Sequence, residues 1–149
     1  MRNDIYVVDT CALISYFSEV FEANKSVSEE SIQLIDLAFH TNEIKLIFPA
    51  TVFIELFIKW FKNEEIAARI KSEVYGRIKD RENMQIRTFD RETLENYMRI
   101  KNIEENHNFD GHDKQIFAVA MTMDCQLITS DERLMRYNKK QQLIQGILN

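Results

Sequence analysis

The chain is poor in the residues that break regular structure, because its 149 residues include only three glycines and one proline. This scarcity argues against flexible linkers and against an all-β fold with many tight turns, and it favours long helices. The two cysteines, Cys11 and Cys125, form neither a CxxC pair nor a zinc-ligand spacing. We therefore expect both to be reduced, buried thiols.

Long apolar runs are also missing. No stretch approaches the roughly 18 apolar residues needed to cross a bilayer. The run at residues 5–8 is too short for a signal-peptide core and ends at Asp9, which predicts a cytoplasmic protein without membrane association. An excess of positive charge is absent as well, since the formal net charge is −5, which counts mildly against a nucleic-acid partner. A carboxylate cluster that binds divalent metal would explain part of this deficit.

Short apolar runs alternate with helical patterns along the chain, whose length is that of one domain. The strand patterns occur at residues 5–8, 45–48, within 84–89, 126–129 and, as a final edge strand, 143–148. The helical patterns occur at residues 10–17, 29 to about 40–42, 49–60, 63–81, 91 to about 106, 113–123 and 132–137, with residues 19–28 as a loop. Ser28, Asp90 and Asp110 are the predicted helix N-caps. This alternation predicts an α/β fold, a three-layer α/β/α sandwich around a central, mostly parallel sheet of four to five strands.

Four separated acids stand at positions where such folds build sites. Asp9 and Asp131 follow the first and fourth strands, and ligands bind outside the carboxyl ends of strands in open α/β sheets. Glu55 lies within an apolar segment, where a carboxylate is costly to bury unless it is paired or coordinated. Asp113 lies at the start of a helix. Asp9 or Asp131 alone could be an ordinary N-cap, but the four acids together are harder to explain structurally.

Four segments carrying these acids resemble the motifs of the PIN domain, the nuclease fold of many VapC-type toxin ribonucleases. They are residues 6–14 (YVVDTCALI), 51–56 (TVFIEL), 113–120 (DKQIFAVA) and 127–131 (LITSD), in the family's order. Residues 63–108 carry no family signature. The resemblance implies a metal-dependent endoribonuclease with Asp9, Glu55, Asp113 and Asp131 as its acidic cluster. It also implies a homodimer and a paired antitoxin.

The chemistry of phosphodiester hydrolysis agrees with this set of acids. Hard divalent cations prefer oxygen ligands and supply both an activated water and charge stabilisation, so we expect Mg²⁺ or Mn²⁺. Asp9 and Asp131 are the predicted direct ligands, and Asp113 is a ligand directly or through water. Glu55 either binds a second ion or orients the attacking water. Crowding of these carboxylates should raise some of their pKa values.

Several residues beside the acids are candidates for RNA binding. The hydroxyls of Thr10, Thr129 and Ser130 could bond carboxylate or phosphate, although capping of backbone groups at strand ends is at least as well supported for each. Arg133 and Arg136 belong to a basic group directly after Asp131 and are the preferred phosphate contacts. His107 and His112 are interpreted as solvated loop residues.

Three other functions share part of the pattern. A phosphatase of the haloacid dehalogenase type also begins with an apolar strand and an Asp, but it normally has a second Asp where this chain has Cys11. A response-regulator receiver needs an acidic pair near the first strand and a late Lys, and neither is evident. A PIN-like binding module without activity is disfavoured because all four acids are present.

Overall fold

The computed structural model describes residues 4–60, 63–100 and 111–149. Within them a five-stranded sheet has the order β3-β2-β1-β4-β5, and every neighbouring pair is parallel. The strands are β1 (Asp4–Val8), β2 (Ile44–Pro49), β3 (Met84–Arg87), β4 (Gln126–Ile128) and β5 (Ile147–Leu148). The predicted α/β class and the three-layer α/β/α arrangement are confirmed.

The centre of the sheet is fully apolar. Val7 and Val8 of β1, Leu46 and Phe48 of β2 and Leu127 of β4 are completely inaccessible to solvent. Strands of a parallel sheet are covered by helices on both faces, so they consist of continuous apolar runs rather than alternating ones. These runs give one core and fix the sheet edge at which β1 and β4 end side by side.

Nine helical segments surround the sheet in the described part of the chain, together with one π-helical segment. They are α1 (Thr10–Tyr16), α2 (Ser18–Phe21), α3 (Glu29–His40), α4 (Ala50–Trp60), α5 (Glu64–Arg69), α6 (Gly76–Ile78), α7 (Arg91–Arg99), α8 (Gly111–Met123) and α9 (Glu132–Gln141). The predicted caps Ser28 and Asp90 are confirmed, since their side chains accept from the backbone N–H groups of Ser31 and Thr93 at 3.2 and 2.9 Å. In the described ranges no helix has the length and apolar character required to cross a membrane.

The prediction of one helix over residues 63–81 was wrong in one respect. The helix is interrupted by a π-helical segment, Ile70–Tyr75. Ile70, Val74 and Ile78 recur every four residues, a spacing that drifts around an α-helix of 3.6 residues per turn. A π turn bonds residue i to i+5 and so contains more residues. It therefore returns all three side chains to the core, where each is completely buried.

Several element boundaries also differ from prediction. Residues 18–21 form a helical turn that overlaps the start of the expected loop, and the described part of α8 already includes Gly111, before Asp113. Helix α9 extends past residue 137 to Gln141, and the buried Asn138 within this extension accepts hydrogen bonds from the turn that follows the helix. The final strand has two residues, and α7 ends at Arg99. The predictions for Asp110, His107 and residues 101–106 lie outside the described residues.

Candidate active site

Two of the predicted acids follow neighbouring strands at the same edge of the sheet. Asp9 directly follows β1 and caps α1, accepting from the backbone N–H of Thr10 at 2.7 Å. Asp131 follows β4 and caps α9, accepting from the backbone N–H of Arg133 at 2.9 Å. Because β1 and β4 pair in parallel, both carboxylates lie at the carboxyl ends of the strands. Both therefore cap a helix and also face the same edge.

Thr129 joins the two acids. Its side chain is fully buried. The hydroxyl donates to Oδ2 of Asp9 at 2.6 Å and accepts from the backbone N–H of Asp131 at 3.0 Å. One hydroxyl thus fixes the carboxylate of the first acid and the backbone of the second, and this fixes their relative position.

Arg133 joins Asp131 to Asp113, the acid in the first turn of α8. Its Nη2 donates to Oδ2 of Asp131 at 2.9 Å and to Oδ2 of Asp113 at 3.2 Å, and its Nε donates to Oδ1 of Asp131 at 3.2 Å. The Arg133 side chain is 46% exposed, whereas those of Asp113 and Asp131 are 17% and 18% exposed. The guanidinium therefore bridges two carboxylates from the solvent side.

The electrostatics of the two strand-end acids are opposite. Burial raises the pKa of Asp9 above its ordinary value, against the lowering effect of hydrogen bonds from Thr129 and Thr10, and the charge of Asp131 adds a smaller increase. Burial would also raise the pKa of Asp131, but the side-chain and backbone hydrogen bonds of Arg133 hold it below its ordinary value. The expected rise is thus present at Asp9, where it comes chiefly from desolvation rather than from crowding.

Cys11 also contacts this cluster, although it was not among the predicted site residues. Its Sγ lies 3.6 Å from Oδ2 of Asp9, 3.5 Å from Oγ1 of Thr129 and 3.4 Å from the backbone N of Ser130. Burial, followed by the charge of Asp9, raises the pKa of the Cys11 thiol to about 11, so it stays protonated at neutral pH. The prediction of reduced cysteines is confirmed, but Cys11 is only partly buried and faces polar groups.

Glu55 lies on the half-buried face of α4, a helix that packs against α1 and α8. One turn before it, the hydroxyl of Thr51 donates to Oε1 of Gln115 at 2.6 Å. Gln115 follows Asp113 by two residues on α8. The helix that carries Glu55 is therefore tied to the helix that carries Asp113. Hydrogen bonds through Thr129 and Arg133 link Asp9, Asp113 and Asp131.

A family model for the PIN domain matches residues 6–140 of the chain, which includes all four acids. The chain belongs to the PIN domain family. PIN domains are generally nucleases that cleave phosphodiester bonds. A comparison with curated protein sequences gave no match.

Two solved structures share the fold of this PIN domain. One is VapBC2 from Rickettsia felis bound to a DNA fragment from their promoter, with a TM-score of 0.66, 13% identity, and 97% of this chain and 98% of that chain covered. The other is FitAcB from Neisseria gonorrhoeae, with a TM-score of 0.68, 15% identity, and 97% and 96% covered. At these identities the likeness establishes the architecture over nearly the whole chain.

The donor chemistry of the PIN site fits a hard divalent cation. Asp9, Asp113 and Asp131 supply carboxylate oxygens, the ligands preferred by Mg²⁺ and Mn²⁺. Within residues 4–60, 63–100 and 111–149, however, no three side chains of His, Cys, Asp or Glu are arranged to hold a metal ion. Asp113 and Asp131 are not arranged around a metal position because the guanidinium of Arg133 lies between their carboxylates. The positive charge in this part of the cluster is therefore a side chain of the protein, the Arg133 guanidinium.

The predicted RNA contacts lie at different depths. Thr129 is fully buried, and Thr10 is 9% exposed, with a hydroxyl that has no hydrogen-bond partner among the described residues. Ser130 is half-buried at the rim, where its hydroxyl donates to Oγ of Ser26 at 3.1 Å. Arg136 is exposed on α9, one turn after Arg133. The rim residues are accessible to a ligand, whereas Thr129 serves the acids.

Proposed function

We propose that this PIN domain is a metal-dependent endoribonuclease whose acidic cluster consists of Asp9, Glu55, Asp113 and Asp131. The observation that carries the proposal is the convergence of Asp9, Asp113 and Asp131 through Thr129 and Arg133 at one edge of the sheet. Residues separated by more than a hundred positions share this hydrogen-bonded group. Local helix capping explains each contact of Asp9 and Asp131 with its own helix, but it does not explain their convergence.

The chain's own residues would divide the work between holding the cation and guiding the substrate. Asp9 and Asp131 would hold Mg²⁺ or Mn²⁺, Asp113 would do so directly or through water, and Glu55 would bind a second ion or orient a water. The bound ion would supply a more acidic water and would neutralise charge on the phosphate. Thr129 would keep the Asp9 carboxylate oriented while that carboxylate holds the cation.

The RNA would approach across the rim formed by Ser130 and the exposed basic residues of α9. Arg136 is exposed there, and Lys139 and Lys140 follow it on the same helix. Phosphate contacts by Arg and Lys position a nucleic acid without reading its sequence. A local basic surface of this kind would allow RNA binding despite the net charge of −5.

The direct test is cleavage of a single-stranded RNA in Mg²⁺ or Mn²⁺, with a DNA of the same sequence in parallel. Wild type is expected to cut the RNA, EDTA to stop the reaction, and Asp9→Asn to abolish it. Equal behaviour of wild type and Asp9→Asn in metal binding and cleavage would contradict the proposal. RNA binding without cleavage by wild type would favour the rival, a PIN-like binding module, and equal cleavage of DNA would remove the specificity for RNA.

We further propose a toxin role with an antitoxin partner. The resemblance to VapC-type ribonucleases supports it, and so does an exposed apolar face on α4. Ile54 and Ile58 are 55% and 67% exposed, and with Phe53 and Phe57 they line a groove of about 490 Å³. Exposed apolar patches of this kind are typical of sites that bind another protein.

Growth on expression tests this role. Expression of wild type should arrest growth, and Asp113→Asn should relieve the arrest, whereas harmless expression of an active enzyme would contradict it. A homodimer is also proposed from the resemblance, and light scattering during size-exclusion chromatography would test it. A monomeric mass across the micromolar range would exclude a stable dimer.

A further inference from the structure

The strongest unexplained contact is that of Arg133 with two of the proposed metal ligands. Its Nη2 lies 2.9 Å from Asp131 and 3.2 Å from Asp113, and the Nε of the same group lies 3.2 Å from Asp131. A guanidinium bound to both oxygens of one carboxylate and to one oxygen of another is a charge-assisted arrangement of defined geometry. It occupies the gap between the carboxylates of Asp113 and Asp131.

A divalent cation shared by these two carboxylates would need the same gap. Mg²⁺ and similar ions bind carboxylate oxygens at roughly 2.0–2.5 Å. A guanidinium already hydrogen-bonded to both groups leaves no room for an ion at that distance from both. Arg133 and the ion therefore exclude each other at Asp113, even if one oxygen of Asp131 were shared.

Arg133 is placed to leave this position. Its side chain is 46% exposed. Ion pairs with that much solvent contact contribute little to stability, so replacing the guanidinium by a divalent ion would cost little free energy. Arg136 lies three residues later on α9, and residues at this spacing are neighbours on a helix surface. Once off the acids, the Arg133 guanidinium would project beside Arg136 at the rim of the site.

We propose that Arg133 and a divalent cation alternate on Asp113 and Asp131, so that metal loading releases the guanidinium to bind a substrate phosphate. This inference rests on the proposed metal-dependent nuclease. It makes Arg133 a substrate-positioning residue whose availability depends on the metal. The protein would thus present its full phosphate-binding surface only when the metal is bound.

Calorimetric titration of Mn²⁺ into wild type, Arg133→Gln and Arg136→Gln tests the competition. Arg133→Gln should bind Mn²⁺ about five- to tenfold more tightly than wild type, the effect of removing a competing ion pair of about 1 kcal/mol. Arg136→Gln, which removes the same charge one turn away, should change the affinity by less than about twofold. If Arg133 were instead a permanent support of Asp131, its loss would weaken Mn²⁺ binding, and that result would overturn the proposal.

A second titration tests the release with adenosine 5′-monophosphate, which has a phosphate but no internucleotide bond to cut. With saturating Mn²⁺, Arg133→Gln should bind it about three- to tenfold more weakly than wild type; without metal, the two should bind alike. Equal weakening in both conditions would show that Arg133 contacts phosphate regardless of metal, and would overturn the alternation. Absence of Mn²⁺ binding by wild type and by both variants would refute the metal-dependent nuclease itself.

Discussion

The interior and the rim of the acidic cluster satisfy their charges in different ways. On the interior side, Asp9 is 5% exposed and receives neutral donors, the Thr129 hydroxyl and the Thr10 backbone N–H. On the rim, Asp113 and Asp131 share the guanidinium of Arg133. Burial raises the pKa of Asp9, whereas hydrogen bonds from Arg133 outweigh burial and lower that of Asp131. Among the residues that the structure describes, the interior acid therefore has no cationic partner, whereas both rim acids contact Arg133.

This difference assigns separate roles to the two sides. An ionised carboxylate held in the interior by neutral donors is costly, and such groups are stabilised by pairing or by coordination. The rim pays no such cost while Arg133 is in place. We infer that Asp9 would be stabilised most by a bound divalent ion. Arg133 would determine when Asp113 and Asp131 can bind the same ion.

The largest effect should follow from a change on the interior side, Asp9→Asn. If Asp9 is the metal ligand that we propose, its loss should lower RNA cleavage by roughly 10³-fold or more, the scale of removing a major transition-state contact. The melting temperature of the metal-free protein should rise, because a buried charge is replaced by an amide that still caps α1. Cleavage assays and thermal unfolding in EDTA measure both effects.

Asp124→Asn is the matched control for that change. Asp124 is exposed after α8 with a φ of 47°, a left-handed conformation that Asn tolerates well. It should leave cleavage and melting temperature unchanged. A metal-free Asp9→Asn protein less stable than wild type would contradict the assignment of Asp9 as a costly buried anion.

A smaller effect is expected from Thr129→Val, which removes the link between the interior and the rim. The fully buried hydroxyl serves Asp9 at 2.6 Å and the N–H of Asp131 at 3.0 Å. Leaving these groups without it should cost about 1–3 kcal/mol, and each 1 kcal/mol lowers the melting temperature by roughly 2–4 °C in a domain of this size. Cleavage should fall about 10- to 100-fold through misplacement of Asp9. Thr129→Ser should restore both properties, and failure of that rescue would point to packing instead.

The pH dependence of stability should have opposite signs on the two sides. The folded-state pKa of Asp9 lies above 3.8, so its ionisation reduces the free energy of unfolding as pH rises through that raised pKa. The folded-state pKa of Asp131 lies below 3.8, so its contribution is present above that value and is lost as pH falls through the lowered pKa. Urea unfolding of wild type, Asp9→Asn and Asp131→Asn in chelator across the acid range would measure both. Differences from wild type that change in the same direction would contradict the contrast.

The smallest effect should come from Arg133→Gln in the metal-free protein. The guanidinium is half exposed, so its loss should cost no more than about 1 kcal/mol at low salt and less at high salt. Thermal unfolding at two ionic strengths measures this cost. A large loss that does not depend on salt would mean that Arg133 is a structural element of α9 rather than a mobile counter-ion.

Most of the fold followed from patterns in the sequence. The apolar runs at β1, β2 and β4 predicted buried parallel strands, and Ser28 and Asp90 predicted helix starts correctly. The π-helical segment could not be predicted from the sequence. A four-residue repeat of apolar side chains is equally compatible with a regular α-helix, and only packing against the core requires all of them to lie on one face. Strand β5 forms only where Ile147 and Leu148 pair with Leu127 and Ile128 of β4, and this pairing is not visible in the sequence.

The site was predictable in its acids and less so in its connections. The ends of the first and fourth strands indicated Asp9 and Asp131, because parallel strands end at one edge. The bridging position of Arg133 depends on the approach of α8 to α9, which no local pattern encodes. The sequence offered one indication that Cys11 lies near the site. It stands two residues after Asp9, where phosphatases of the haloacid dehalogenase type have a second Asp.

The most direct test of a metal ion shared by Asp9 and Asp131 is a crystal of the protein soaked in Mn²⁺ and measured for anomalous scattering. We expect a peak within about 2.5 Å of carboxylate oxygens of Asp9 and Asp131, with the guanidinium of Arg133 moved off Asp113 towards Arg136. An acidic cluster without a peak, and with Arg133 still bridging Asp113 and Asp131, would contradict it.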